Sequence, residues 1–134
     1  MFSHVMFGTR DLPRASAFYD AVLAPLGIAR VAIEYHGWAA WQRPGEGEKF
    51  WVGLPFNGAP ANPGNGNMVA FVAPSREAVD AAYQAALAAG GSDDGPPGLR
   101  TAYAPDYYGA YVRDPDGNKV HFVRRGAASG LPAQ

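Results

Sequence analysis

Imidazole is the side chain whose charge changes near neutral pH, and this chain carries three of them: His4, His36 and His121. His4 and His121 lie near opposite ends of the chain, in segments that read as strands. Each offers a nitrogen that could move a proton or hold a metal ion. Taken alone, a strand histidine satisfied by a neighbour in its sheet is the plainer reading. His36 stands beside Gly37 in a tight turn and reads as solvent-exposed. The chain has no cysteine, which removes disulfides, thiolate metal sites and a cysteine nucleophile together. Asp114 and Asp116 fall in the run Asp114-Pro115-Asp116-Gly117, where turn geometry accounts for both. Trp51, Tyr108 and Tyr111 have the apolar body and polar tip that suit a pocket wall, although core packing explains each of them as well.

The elements that must position these groups are short. Phe2 to Gly8 reads as a strand with Val5 and Phe7 facing one way and His4 and Met6 the other. Asp11 is the N-cap of a helix that Pro13 enters in its first turn. Ala15, Phe18, Val22 and Leu26 recur on one face, widened by Tyr19 and Leu23, and Pro25 and Gly27 stop it. Strands are expected at Ile28 to Glu34, Trp38 to Gln42 and Lys49 to Leu54. Asn57 to Gly66 is loop by composition. Asn67 to Ala73 is a further strand, and Ser75 caps an alanine-rich helix that runs to Ala89 before Gly90-Gly91. After the breaker Pro96-Pro97-Gly98, a short strand is expected over Arg100 to Ala104. Tyr108 to Arg113 and Asn118 to Arg124 are strands around the Asp-Pro-Asp-Gly turn. Gly126 to Gln134 reads as a fraying tail.

Composition narrows the function. The length of 134 residues suits one domain, with 48% hydrophobic and 17% charged residues. The eleven Lys and Arg are scattered, and the net charge is −1. Nucleic-acid binding is therefore not expected. No apolar run approaches the ~18 residues of a membrane span. The opening Met1-Phe2-Ser3-His4-Val5 has neither basic nor apolar signal-peptide character, so a cytoplasmic protein is expected.

The two halves repeat. At a common shift of 64 residues, His4-Val5-Met6-Phe7 falls on Met68-Val69-Ala70-Phe71, and Tyr19 falls on Tyr83. Ala21, Leu23 and Ala24 fall on Ala85, Leu87 and Ala88. A unit used only twice cannot stack into an array, so one domain with approximate two-fold internal symmetry is expected. It would occupy residues 1–125, with modules at about 1–56 and 67–125, a linker at 57–66 and a flexible tail at 126–134.

Several motifs sharpen this. The His4-Val5 strand, Asp11-Leu12-Pro13-Arg14, Ala17-Phe18-Tyr19, Phe50-Trp51-Val52-Gly53, Gly64-Asn65-Gly66 and Val112-Arg113-Asp114-Pro115-Asp116-Gly117-Asn118-Lys119 occur in order along nearly the whole chain. With them the sequence resembles the glyoxalase/bleomycin-resistance/dioxygenase (vicinal oxygen chelate) superfamily. The resemblance implies an α+β fold of two repeated β-α-β-β-β modules, each curling a four-stranded mixed sheet into an open cup, and a homodimer. It also implies a divalent metal (Zn, Ni, Fe or Mn) held by His or carboxylate ligands from the first and last strands of the modules. His4 and His121 are the residues here that fall on ligand positions. The second-module position usually held by His is Met68, and the final-strand position usually held by Glu is His121. The last strand of the first module offers only Phe50 or Trp51. A thioether is soft and weakly donating, so this ligand set departs from the family pattern.

Two functions of different kind follow. One is a metal-assisted lyase, isomerase or dioxygenase in which His4 and His121 bind metal or transfer protons. In the other, a metal-free relative holds a small, partly aromatic molecule in a pocket lined by Met68, Trp51, Tyr108 and Tyr111. A purely structural dimerisation module is the weakest alternative, because both terminal strands carry a histidine.

Overall fold

The computed structural model describes residues 1–126. Most of the tail expected at 126–134 thus lies outside the described residues. The first module runs β1 (His4–Gly8), α1 (Leu12–Leu23), a 3₁₀ turn (Ala24–Leu26), β2 (Ala29–Val31), β3 (Trp38–Gln42) and β4 (Lys49–Gly53). The second runs β5 (Met68–Val72), α2 (Arg76–Ala88), β6 (Ser92–Leu99), β7 (Tyr108–Arg113) and β8 (Lys119–Arg124). Each module forms one four-stranded mixed sheet, in the orders β1-β4-β3-β2 and β5-β8-β7-β6. The first strand of each module pairs in parallel with the last, and the remaining pairs are antiparallel. This is the α+β architecture of two repeated modules. β1 and β5 occupy matching positions at the 64-residue shift seen in the sequence.

Local chemistry sets the helices. The Asp11 carboxylate accepts from the Arg14 amide at 3.1 Å, and the Ser75 hydroxyl accepts from the Ala78 amide at 3.0 Å. Each cap satisfies an amide that the helix leaves unpaired. Alternation sets the sheets. Val5, Phe7, Phe50, Val52 and Trp41 turn toward α1, while Val69, Phe71, Val112, Val120 and Phe122 turn toward α2, and all join one core. The helices touch each other, and Phe50 meets Phe71 edge-on at 5.0 Å across the two modules. Among the described residues no helix covers the opposite faces of the two sheets, and His4 and His121 stand on those faces.

Two expectations change. The strand expected at Ile28–Glu34 is only Ala29–Val31. Arg100–Ala104 is a turn, and the strand before it is Ser92–Leu99, which runs through the prolines. β6 is an edge strand whose register breaks between Gly95 and Gly98, so Pro96 and Pro97 sit in the irregular stretch, where a missing amide hydrogen costs no ladder bond.

The Asp-Pro-Asp-Gly turn does more than reverse the chain. Asp114 is buried and accepts from the Tyr19 hydroxyl at 2.6 Å and from Asn118 Nδ2 at 3.0 Å. Asn118 Nδ2 also donates to the Gly8 carbonyl at 3.0 Å, and Asp116 accepts from the Thr9 hydroxyl and the Arg10 amide. The β7–β8 turn of the second module therefore clasps the β1–α1 connection of the first. Burial pushes the Asp114 carboxyl above its ordinary range, and the bonds from Tyr19 and Asn118 oppose that shift.

Candidate functional site

His121 sits at the centre of β8, opposite Ala70 on β5 and Tyr111 on β7, so these three share the helix-free face of the second sheet. It has no solvent exposure. Its Nδ1 lies 2.8 Å from the Ala110 carbonyl, and its Nε2 lies 2.8 Å from the Tyr107 hydroxyl. A carbonyl only accepts, so Nδ1 carries the hydrogen, and the neutral ring's Nε2 accepts from Tyr107. Tyr111 stacks on the imidazole with centroids 4.0 Å apart and planes within 7°. Gly109 makes room for the ring: a Cβ there would stand 2.5 Å from His121 Cε1 and 3.1 Å from the Phe122 carbonyl oxygen.

The electrostatics favour neutral groups. Burial holds the His121 pKa below 6.5; the Ala110 carbonyl opposes that shift, and Arg100 and Lys119 add to it. Burial likewise raises the Tyr107 phenol above its ordinary value. Burial, and then the Tyr103 hydroxyl, push Tyr111 up to about 12. At neutral pH the pair is thus an uncharged phenol donating to an uncharged imidazole.

The connection after β6 delivers Tyr107. The Arg100 amide donates to the Tyr107 carbonyl at 2.7 Å, closing a loop that brings the tyrosine over His121. Tyr103 packs against Tyr107 with centroids 5.1 Å apart. Sequence reasoning missed Tyr107, Tyr103 and Arg100. The available signal was the spacing Tyr103, Tyr107, Tyr111, four residues apart beside a strand histidine, but no periodicity rule assigns loop residues to a sheet face.

The other expected residues are dispersed. His4 is exposed on β1 of the other sheet, its Nδ1 2.9 Å from the Ser3 hydroxyl. Among the described residues no hydrogen bond or ring contact joins it to His121. Tyr108 lies on the helix side of β7, where its hydroxyl donates to Asp80 on α2 at 2.6 Å. Alternation separates it from Tyr111, three residues on. Trp51 lies on the helix-free face of the first sheet with Trp38 and Tyr35, at 6.3 and 6.2 Å between ring centroids. Met68 is 44% exposed and lines a hollow of about 460 Å³ between β1, β5 and the linker, with Met6, Gly8, Asn67 and Lys119. A second hollow of about 500 Å³ lies beside Met6, Trp38 and Phe56.

The donors around His121 do not suit a divalent metal. Both ring nitrogens are engaged, the β5 residue opposite His121 is Ala70, the repeat counterpart of His4 is the thioether Met68, and among the described residues no three His, Cys, Asp or Glu side chains gather as a ligand group. Among the described residues no helix is long and apolar enough to cross a membrane.

Comparison with known proteins places this architecture. None of the curated proteins compared with the chain matches it. A glyoxalase/bleomycin resistance protein from Albidiferax ferrireducens T118 is 43% identical over 94% of this chain and 99% of its own, with a TM-score of 0.83. A glyoxalase-related enzyme from Fulvimarina pelagi shares the fold at 21% identity over 98% and 95% of the two chains, with a TM-score of 0.72. A lactoylglutathione lyase from Agrobacterium tumefaciens does so at 20% identity over 92% of each chain, with a TM-score of 0.64. The profile of the Glyoxalase/Bleomycin resistance protein/Dioxygenase superfamily matches residues 1–122, and the chain belongs to that superfamily.

Proposed function

We propose that the chain binds a small organic molecule on the helix-free face of its second sheet and moves a proton through Tyr107 and His121 without a metal. The observation that carries this reading is the Tyr107 Oη–His121 Nε2 contact of 2.8 Å, with Nδ1 anchored on a carbonyl. Such an anchor fixes tautomer and ring orientation, as general acid–base work requires. A bound molecule would give its proton to the Tyr107 oxygen as the Tyr107 proton passes to Nε2. Burial disfavours the resulting imidazolium, so the proton returns readily. That suits a reversible shift, as in an isomerase or lyase. Tyr111 and Met68 serve as wall residues, while His4, Trp51 and Tyr108 take no part in the transfer.

The test is solvent-deuterium exchange into molecules that carry an acidic C–H beside a carbonyl. Tyr107→Phe and His121→Asn should each lose about 100-fold or more in exchange rate while the protein stays folded. Exchange that survives both substitutions removes the proton-transfer reading. Ligand binding that survives without exchange favours the alternative, a binding or sequestering protein.

A cytoplasmic homodimer belongs to the same proposal. Phe56 is 97% exposed, with Met6, Tyr35 and Leu54 also open on the same module, an apolar surface that a second copy would cover. Phe56→Asp should shift light-scattering mass toward the monomer; an unchanged dimer, or a wild-type monomer, counts against that contact.

A further inference from the structure

Cations lie around the Tyr107–His121 pair, and among the described residues two of them form no ion pair. Arg100 lies 5.6 Å and Lys119 5.0 Å from the Tyr111 ring centroid, while Arg125 lies 5.9 Å from that of Tyr107. Lys119 is paired with Asp94 at 3.5 Å. Arg100 donates to the Pro96 carbonyl at 2.7 Å, and among the described residues neither Arg100 nor Arg125 forms an ion pair. A guanidinium lying against an aromatic face keeps most of its donors free, and a carboxylate matches that fork in two parallel bonds. Arg125 lies against the Tyr107 ring and Arg100 against the Tyr111 ring that stacks on His121, so a negative group taken by these guanidinium groups would lie beside the proton-moving pair.

Resting on the reading of this face as a small-molecule site, we infer that the molecule is a small organic carboxylate whose charged end is taken by Arg100 and Arg125. The aromatic groups Tyr103, Tyr107 and Tyr111 supply the apolar part of the contact. Positive charge also favours an enolate over its parent acid, which places the arginines on the side of the reaction where negative charge grows.

The experiment titrates the whole chain with phenylacetate and phenylpyruvate, and with neutral phenylacetamide, at constant ionic strength. It is read by calorimetry and by the imidazole 15N signals of His121. At least one carboxylate should bind about tenfold or more tighter than the amide. Arg100→Gln/Arg125→Gln, checked for folding by circular dichroism, should lose that preference and leave amide binding unchanged. Equal binding of acid and amide, a preference that survives the double substitution, or no carboxylate binding at all overturns the inference. If the amide moves the His121 signals and the carboxylates do not, the charge assignment fails and the site stands. If no compound moves them, the site reading fails and the inference goes with it.

Discussion

The two modules share a backbone plan and use it for opposite purposes. On the helix-free face of the first sheet, Trp51 stands where the second sheet has His121, Ala40 where it has Tyr111, and Trp38 where it has Gly109. The first face therefore carries two indoles beside Met6 and His4. The second is tight, with a glycine that lets an imidazole lie under a tyrosine. The helix-facing positions, by contrast, are apolar in both modules, because both pack into one core. A duplicated fold thus keeps the face that buries apolar area and diverges on the face that does not, where no core constrains the side chains.

Substitutions can break this contrast. The largest effect is expected at the clasp between modules. Asp114→Ala leaves the buried Tyr19 hydroxyl and the Asn118 amide without their acceptor and should cost about 3 kcal/mol in chemical denaturation. Next is Gly109→Ala, whose Cβ would strike the His121 ring and a backbone carbonyl, at about 2 kcal/mol. It should also displace His121 from Tyr107, visible in the imidazole 15N spectrum. The repeat-related tyrosines give a finer test. Tyr19 donates to Asp114 of the other module from full burial, whereas Tyr83 donates to Asp93 of its own at 2.9 Å. Tyr19→Phe should therefore cost about 2 kcal/mol and Tyr83→Phe about 1 kcal/mol. Equal costs would show that the clasp adds nothing.

The smallest effect is in pH. The folded-state pKa of His121 lies below 6.5, so the unfolded chain takes up a proton there first. Stability should be full above about pH 6.5 and fall as the pH drops from there through the folded-state pKa. His121→Phe should flatten that slope in urea denaturation midpoints measured across this window. A wild-type slope of the opposite sign would contradict a buried neutral imidazole.

Much of the fold was legible because it is written in short-range pattern. Caps at Asp11 and Ser75, alternation at Val5 and Phe7, and the Tyr19–Tyr83 repeat are each local or periodic, and each has a counterpart in the structure. β6 was not legible, since Pro96 and Pro97 read as breakers until an edge position and a bulge make room for them. Tyr108 was read with Tyr111 as a wall of one pocket, although strand alternation over their odd spacing separates the two faces. Tyr107 was not legible, because a loop residue has no period.

By itself, the sequence determined two modules, the order of most of their strands and helices, and which side of β1 meets the core, since these follow from spacing along the chain. Only the tertiary structure decided that His121 is held between a carbonyl and the Tyr107 hydroxyl, and that the Asp114 turn grips the other module. Those contacts join residues whose separation along the chain carries no pattern, and packing of the two sheets and their loops brings them together.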